Sequence, residues 1–325
     1  MLYREALNKA LDEMMSRDSS VVLLGEDIGF YGGNYKVTEG LYARYGEKRV
    51  IDTPIAENTI VGTAIGMAIG GLRPVAEIMT VNFSLIAFDQ IVNQLAKIRY
   101  MSGGKITLPM VIRMPQGVAK QLAAQHSQSL ERLFASIPGL RVLVASDATT
   151  AYYGLKFAIS TDDPVIFLEH LLLYPEKMEI EEEKHFSPYR ARIKKEGEGI
   201  TIISYLKMLH DTLKAVPTIE KELDTTCEVI DLCSINPLDV ETISKSVKKT
   251  KRLVVITEEP KTGSYANEIL NKVLEEVFYE LDAPPLKIGA EDVPTPYNRT
   301  LELASIPTPE KIAKQIIIWG RKHGI

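Results

Sequence analysis

Three short stretches of the sequence carry side chains suited to acid–base or binding chemistry. In the first, residues 51–58, a turn containing Pro54 leads into a predicted helix that opens near Glu57. A carboxyl group at that point can share a proton with a ligand, or it can only complement the partial positive charge of the helix N-terminus. Spacing alone leaves both interpretations of Glu57 open.

The second and third stretches follow predicted strands. EIMTVNF contains Met79 and Phe83 at the carboxyl end of a strand. Open α/β sheets place their ligands at that end, so Phe83 is either a flat apolar wall of a pocket or a core residue. AAQHSQ places His126 in a polar loop. Imidazole titrates near neutral pH and can move protons during catalysis, although a single loop histidine can also be incidental.

The predicted helix behind Glu57 carries Gly62, Gly66 and Gly70 at intervals of four. Each glycine inside a helix costs about 1 kcal/mol relative to alanine. Three glycines on one face therefore indicate that the backbone of another helix, or of another chain, approaches this face closely.

Alternating helices and apolar strands must position these residues. An amphipathic helix over residues 4–16 precedes a buried strand at residues 21–24, and four more apolar strands follow before residue 170. A second series of strands and helices begins near residue 200. Buried strands separated by helices predict an α/β fold with a parallel sheet covered on both faces. We expect one domain over residues 1–184, a charged linker over 185–198 and a smaller α/β domain over 199–325.

Composition and charge narrow the class of protein. The 325 residues carry a net charge of −5 without a basic stripe, so nucleic acid is not an expected partner. There is no run of about 18 apolar residues, and the first residues are charged, so we expect neither a membrane span nor a signal peptide.

Phosphate-loop, nucleophile-elbow, zinc-protease and dinucleotide motifs are absent from the sequence. The two cysteines lie too far apart along one predicted strand to pair, which favours reduced thiols and a cytosol-like compartment.

Taken together, these stretches resemble the β subunits of the E1 component of pyruvate dehydrogenase, in the transketolase-like family of 2-oxo-acid dehydrogenases. The matching runs are LLGEDIG, YGGNYKVTEGL, YGEKRVIDTPIAEN, GLRPVAEIMTVNF, DQIVNQLAKIRYMSGG, PMVIRMPQG, AAQHSQ and TEEPKTGSYANEI. Their order and spacing cover nearly the whole chain. The resemblance implies a transketolase-like fold, with a thiamine-diphosphate pyrimidine-binding domain followed by a transketolase C-terminal domain. It also implies an α2β2 heterotetramer with an E1 α subunit.

The implied activity is oxidative decarboxylation of pyruvate with reductive acetylation of lipoyl groups on E2, the dihydrolipoyl acyltransferase. Glu57 matches the glutamate that activates the cofactor by hydrogen-bonding its aminopyrimidine ring. His126 matches an active-site histidine that transfers protons or stabilises intermediates during reductive acylation. Met79 and Phe83 match positions lining the pyrimidine pocket, and Glu26 matches a glutamate near it.

The resemblance also bears on metal ions. Family members bind a potassium-like ion, mainly through backbone carbonyl groups. The matching positions are Met110, Ala158, Ile159, Thr161 and Asp163. Thr161 stands where an acidic residue is usual, but a carbonyl ligand there would survive the change. The GDG motif of enzymes that hold the cofactor's diphosphate on magnesium is absent, so the diphosphate and Mg²⁺ are expected on the α subunit.

Alternatives to this reading remain. The β subunits of acetoin and branched-chain 2-oxo-acid dehydrogenases share much of the pattern, although AAQHSQ favours pyruvate. The chain length and the missing GDG motif oppose a self-sufficient transketolase or deoxyxylulose-phosphate synthase. Glu57 and His126 in matched contexts oppose a non-catalytic α/β scaffold subunit. The run YGGNYKVT is similar to cyanobacterial and plastid-encoded forms, so the expected location is the cytoplasm or the plastid stroma.

The resemblance extends to assembly. Glu57, Gly62 and Gly66 fit the family pattern E-x4-G-x3-G, which implies that this helix packs against its symmetry mate. The C-terminal domain is implied to dock the E2 core. We expect the basic run at residues 245–252 and the acidic pair Glu258 and Glu259 to be solvated surface.

Overall fold

The computed structural model describes residues 1–118, 121–183 and 185–325. The chain divides into two units. Unit 1 comprises Met1–Gln116 and Leu133–Pro188, and unit 2 comprises Gly117–Arg132 and Tyr189–Ile325. The predicted end of the first domain, residue 184, lies outside the described residues, so the domain boundaries stay a prediction.

Unit 1 is built around a parallel sheet of short, mostly buried strands. The strands are β1 (Val21–Gly25), β2 (Val50–Asp52), β3 (Arg73–Glu77), β4 (Val111–Gln116), β5 (Arg141–Val144) and β6 (Val165–His170). They lie in the order β5-β6-β4-β3-β1-β2, and neighbouring strands run parallel. Strands that are covered on both faces consist of apolar residues. Five of the six strands could therefore be predicted from apolar runs, whereas the three-residue strand β2 was not predicted.

Helical segments accompany these strands along the chain. They are α1 (Tyr3–Arg17), α2 (Leu41–Tyr45), α3 (Glu57–Ile69), α4 (Ile98–Met101), α5 (Glu131–Ala135) and α6 (Ala148–Ser160). The helix predicted over residues 4–16 is α1, which buries Leu7 and Leu11 as its spacing requires. Asp147 begins α6 by accepting a hydrogen bond from the Thr150 backbone N–H. Among the described residues, no helix is long and apolar enough to cross a membrane.

Unit 2 contains a second, five-stranded sheet in the order β12-β11-β8-β9-β7. The strands of this part of the chain are β7 (Arg192–Lys195), β8 (Ile200–Ser204), β9 (Cys227–Asp231), β10 (Ser234–Asn236), β11 (Leu253–Pro260) and β12 (Leu286–Ala290). Its helices are α7 (Leu206–Leu223), α8 (Val240–Thr250), α9 (Tyr265–Val277), α10 (Arg299–Ser305) and α11 (Pro309–Lys322). Apolar side chains such as Ile202, Val229 and Ile316 form its buried core. The predicted α/β class with parallel sheets is confirmed in both units, with β7 as the antiparallel exception.

Two charged stretches of unit 2 differ from the sequence-based expectation. Part of the predicted linker forms the edge strand β7, in which Ile193 pairs with Ile230 of β9. Glu258 and Glu259 were expected on solvated surface, and this expectation is wrong, since both are buried in β11. Their carboxyl groups accept hydrogen bonds from backbone and side-chain donors, and a buried polar group requires such partners. The basic residues Lys245 and Lys248 are exposed, as expected.

Candidate cofactor and active site

The carboxyl ends of β1, β2 and β3 bring acidic side chains to one edge of the unit 1 sheet. Gly25, at the end of β1, pairs with Asp52 at the end of β2, and Glu26 follows Gly25 directly. Glu77 ends β3, which lies on the other side of β1. Glu57 begins α3 shortly after β2. This is the edge of a parallel sheet where ligands bind.

Glu26 and Glu57 are both buried at this edge, with 7 % and 3 % of their surface exposed. Burial raises the pKa of the Glu26 carboxyl group, and the neighbouring carboxylates of Glu57, Asp27 and Glu77 raise it further. Among the described residues, Glu26 Oε1 has no hydrogen-bond partner. A buried polar atom without a partner is costly, so this oxygen is suited to a donor on a bound ligand.

The turn before Glu57 is fixed by backbone contacts with the end of β1. The Thr53 N–H donates to the Gly25 carbonyl at 3.0 Å, and the Gly29 N–H donates to Asp52 Oδ1 at 2.6 Å. A Cβ at Gly29 would lie 2.4 Å from Asp52 Oδ2, so no larger residue fits there without movement. Thr53 Oγ1 is a second buried polar atom that lacks a partner in the described part of the chain. These contacts help to fix the position at which Glu57 begins α3.

Met79 and Phe83 follow β3, as predicted, and both are half-buried. The Asn34 side-chain amide donates to the Met79 sulfur at 2.7 Å. Phe83 lies in a 3₁₀ turn, Val81–Leu85, and its N–H donates to the Thr80 carbonyl at 3.0 Å. Neither side chain belongs to the fully buried core, which favours the pocket-wall interpretation of Phe83 over the core interpretation.

A buried ion network next to Glu77 was not predicted. Arg113 of β4 is 2 % exposed and pairs with Glu77 of β3 and Glu169 of β6. Its Nε donates to Glu169 Oε1 at 2.8 Å, and the Tyr174 hydroxyl donates to Glu169 Oε2 at 2.6 Å. Burial raises the pKa of Glu77, although Arg113 opposes this shift. One feature of the sequence could have predicted this network. Each of three apolar runs contains a charged residue, and a buried charge requires a partner.

His126 belongs to unit 2, where it ends an exposed 3₁₀ turn, Ala124–His126. Its N–H donates to the Ala123 carbonyl at 3.3 Å. Gln121 and Ala123 have positive φ angles of 62° and 61°, which shape the loop before the histidine. An exposed imidazole in a loop is accessible to a substrate that arrives on another protein.

The positions predicted for a potassium-like ion lie near the start of β4 and the end of α6, in unit 1. The carbonyl groups of Ile159 and Thr161 both accept hydrogen bonds from Nη1 of Arg73 at 3.0 Å. The Met110 carbonyl accepts from the Val165 N–H at 3.0 Å. A guanidinium group thus already provides the positive charge at two of the predicted ligands. The guanidinium group therefore competes with a further cation for these carbonyl groups.

Asp163 and Ala158 are the remaining positions predicted for the ion. Asp163 pairs with Arg99 and Arg141, and Ala158 is buried within α6. The potassium-like ion therefore stays a prediction from the resemblance, and no step of the chemistry below depends on it.

Known proteins share this arrangement of domains. A family model described as "Transketolase, pyrimidine binding domain" matches residues 1–177, and one described as "Transketolase, C-terminal domain" matches residues 189–312. A protein of Porphyra purpurea named pyruvate dehydrogenase E1 component subunit beta is 46 % identical over 95 % of this chain and 93 % of its own length. This chain belongs to the pyruvate dehydrogenase E1 β-subunit family.

Other members of the E1 β-subunit family are similarly close. A protein of Gracilaria tenuistipitata var. liui with the same name is 45 % identical over 97 % of this chain and 98 % of its own length. The protein of Oryza sativa subsp. japonica named subunit beta-2, mitochondrial, is 47 % identical over 97 % of this chain and 85 % of its own length. A solved structure titled "Split gene transketolase, inactive beta4 tetramer" superposes with a TM-score of 0.80 at 24 % identity, covering 99 % of this chain and 98 % of that one. This similarity confirms the transketolase-like fold.

Within this E1 β-subunit fold, the structure brings some of the predicted site residues together. Glu26 and Glu57 interact at one edge of the unit 1 sheet, and Met79 and Phe83 follow the adjacent β3. His126 is carried by unit 2. The roles of all five residues stay predictions.

Proposed function

We propose that this chain is the β half of a thiamine-diphosphate-dependent pyruvate dehydrogenase E1. In this proposal the α and β chains together decarboxylate pyruvate oxidatively and acetylate lipoyl groups of an E2 dihydrolipoyl acyltransferase. The observation that carries the proposal is the buried pair Glu26 and Glu57 at the ligand-binding edge of unit 1. This edge lies in the part of the chain matched by the pyrimidine-binding family. The names of the relatives favour pyruvate over acetoin or branched-chain acids.

The residues at this edge fit the aminopyrimidine half of the cofactor. An aminopyrimidine ring offers an exocyclic amine as donor and ring nitrogens as acceptors. Glu26 Oε1 and Thr53 Oγ1 are buried and lack partners among the described residues, so they can meet those polar groups. Glu57 would bind a ring nitrogen through its carboxyl group. Met79 and Phe83 would provide half-buried apolar surface for the flat ring.

Glu57 and Glu26 have distinct tasks in this proposal. When bound, thiamine diphosphate would supply a thiazolium ring that accepts the electrons released by decarboxylation. Glu57 would hold a proton between its carboxyl oxygen and the ring nitrogen, and its burial would strengthen this hydrogen bond because water would not compete for it. Glu26, whose pKa is raised by burial and by Glu57, keeps its proton to higher pH than an exposed glutamate. A neutral Glu26 limits the repulsion between the two carboxyl groups.

His126 is proposed to transfer protons during reductive acylation. When an acyl group moves to a lipoyl sulfur, the dithiolane ring opens and one sulfur must gain a proton. An imidazole in an exposed loop can supply that proton as a general acid.

The proposal requires partners. Because no GDG motif occurs in the sequence, the diphosphate and Mg²⁺ are assigned to an E1 α subunit in an α2β2 heterotetramer. Unit 2 is proposed to dock the E2 core. The proposed domains are 1–184 and 199–325 with a linker between them. The family matches that end at residue 177 and begin at residue 189 support two domains with a boundary between these residues.

The proposed location is a reducing compartment, the cytoplasm or the plastid stroma. Cys227 and Cys233 are both buried free thiols, and burial raises the pKa of Cys227 to about 12. Inert, reduced thiols are typical of such compartments.

The test is pyruvate-dependent ferricyanide reduction with added thiamine diphosphate and Mg²⁺, for the chain alone and after mixing with its α partner. We expect activity only in the mixture, and we expect Glu57→Gln to lower it by about 100-fold or more. Glu47→Gln, at an exposed turn of unit 1, is the matched control and should retain wild-type activity. Activity in the chain alone would contradict the two-chain cofactor site.

The same assay separates the alternatives. Faster turnover of acetoin or a branched-chain 2-oxo acid than of pyruvate would reassign the substrate. Full activity in both Glu57→Ala and His126→Ala would indicate a scaffold subunit without a catalytic role.

A further inference from the structure

The loop over residues 117–132, here called the His126 loop, belongs to unit 2. A backbone contact joins its first residue to a residue after the histidine, because the Gly117 N–H donates to the Gln128 carbonyl at 2.9 Å. His126 itself lies in the exposed turn between them. The contacts at the base of this loop therefore contribute to the position of the imidazole.

The His126 loop borders a cavity and not a closely packed core. The cavity has a volume of about 470 Å³. Its polar lining comes from the loop, from β11 and from the stretch after β12, and includes Ser127, Ser129, Glu258, Glu259, Asp292 and Thr295. On the side of the loop that faces the cavity, few partner atoms are available for dispersion contacts. On that side, polar contacts are therefore the interactions that can hold the loop.

Glu258 provides the central polar contact. Its Oε2 accepts a hydrogen bond from the Val118 N–H at 3.2 Å and another from the Ser129 hydroxyl at 2.8 Å. Val118 precedes His126 along the chain and Ser129 follows it. The acceptor is buried on a regular strand of the sheet, so water does not compete for these two hydrogen bonds. One carboxylate oxygen thus joins both sides of the loop.

Further contacts hold the loop on either side of the histidine. The Gln121 N–H, before His126, donates to Glu302 Oε1 at 2.9 Å. The Thr295 hydroxyl donates to the Ser127 carbonyl at 2.8 Å, which belongs to the residue directly after His126. The Arg132 N–H donates to Glu259 Oε1 at 3.2 Å. Among these anchors, only Glu258 contacts the loop on both sides of His126.

We infer that Glu258, assisted by Thr295, is a positioning residue for reductive acylation: its carboxylate closes the His126 loop and fixes the imidazole where the acyl group is transferred. The inference rests on the proposed role of His126. Glu258 acts through the loop backbone and not on the substrate. Its loss should misplace the imidazole while the acidic edge of unit 1, which serves decarboxylation, stays intact.

The experiment compares two half-reactions of the enzyme assembled with its α partner. One is pyruvate-dependent ferricyanide reduction, and the other is acetylation of a lipoyl domain of E2. A misplacement of about 1 Å can cost about 100-fold in rate, so Glu258→Ala should slow acetylation by about 10-fold to 100-fold and ferricyanide reduction by less than about twofold. Glu258→Gln should recover most of the loss, because its amide oxygen accepts the same hydrogen bonds. Glu241→Ala, at an exposed site of α8, is the matched control.

A double variant distinguishes positioning from a general structural role. If Glu258 acts through the imidazole, adding Glu258→Ala to His126→Ala slows acetylation no further. Additive losses would overturn the inference, as would an equal loss of both half-reactions together with a lower Tm. Wild-type acetylation by the His126→Ala enzyme would overturn the proposed role of His126, and the inference with it.

Thr295→Val is a second variant that keeps the inference testable where Glu258→Ala does not fold. It removes the hydroxyl group at the Ser127 carbonyl with little change in volume. We expect the same selective slowing of acetylation, by roughly 3-fold to 10-fold for one lost hydrogen bond. An unchanged ratio of the two half-reactions in this variant would overturn the inference.

Discussion

The carboxyl group of Glu26 is buried beside that of Glu57, and burial together with this neighbouring charge raises the pKa of Glu26. Because the shift belongs to the folded state, folding favours protonated Glu26. Its contribution to stability is full below the ordinary value of 4.5 and is lost as the pH rises through the raised folded value. The ionised form of Glu26 therefore opposes folding at higher pH.

Glu26→Gln should remove this opposition. A neutral amide fills the site without ionising, so we expect the free energy of unfolding to exceed that of the wild type at about pH 8 and to match it more closely at about pH 5. Urea denaturation at both pH values measures the difference. Glu47→Gln, which is exposed, should show no such pH-dependent gain. A variant that is less stable than the wild type at the higher pH would contradict the assignment.

Substitution of Arg113 should lower the free energy of unfolding more than substitution of an exposed charged residue of unit 1. Arg113→Met leaves the buried carboxylates of Glu77 and Glu169 without their cation, which should lower the free energy of unfolding by about 3–5 kcal/mol. The loss should shrink as the pH falls, because the orphaned carboxylates then take up protons. Guanidinium denaturation at two pH values checks both points.

Arg17→Met is the matched control for this change. Arg17 is 67 % exposed in its side chain and pairs with Glu13 one helical turn away, so its loss should cost about 1 kcal/mol or less. Equal, small effects of the two substitutions would mean that the Arg113 network contributes no more than a surface ion pair.

The strands of unit 1 could be predicted because parallel strands are buried on both faces and read as apolar runs. The pairing of Arg113 with Glu77 and Glu169 could not, since these partners lie 36 and 56 residues away in sequence. An apolar run shows that a strand is buried, but it does not show which strand lies next to it. For the same reason the sequence did not predict β7, whose charged side chains lie on a sheet edge.

Some residues of the candidate site could be predicted from the sequence and others could not. Glu57 and His126 were selected by residue type and by the resemblance, and the structure adds the burial of Glu57 and its interaction with Glu26. Glu258 was misassigned to solvated surface, because its partners Val118 and Ser129 lie 140 and 129 residues earlier in the chain. Acidic pairs are usually solvated, and only long-range contacts identify the exceptions.

Substitutions at Gly66 should affect the stability of the single chain and its assembly with other chains differently. Of the described atoms, none lies within 4 Å of the place where a Cβ at Gly66 would be, so a side chain fits the single chain. Gly66→Ala should raise the free energy of unfolding by up to about 1 kcal/mol through helix propensity. Gly66→Leu should instead prevent the proposed packing of α3 against its symmetry mate, because that packing needs a face without side chains.

Sedimentation velocity of α and β mixtures measures this effect. The wild type should form the heterotetramer, whereas Gly66→Leu should stop at a smaller assembly while keeping a wild-type Tm as a single chain. Ser16→Leu, which adds the same side chain at an exposed position of α1, should still form the full assembly. A heterotetramer of normal size in Gly66→Leu would contradict the proposed helix contact.

Arg73 should compete with potassium for the carbonyl groups of Ile159 and Thr161. In the structure its guanidinium binds both carbonyls and also pairs with Asp162, so its positive charge opposes a second cation nearby. Arg73→Ala removes the charge and leaves the carbonyls available. We expect the Tm of this variant to rise more in KCl than in NaCl at equal ionic strength, and the wild type to show a smaller difference. Arg321→Ala, which removes an exposed ion pair with Glu222 in unit 2, is the control and should respond like the wild type. A larger potassium-specific rise in the wild type than in Arg73→Ala would mean that an ion binds alongside the guanidinium group.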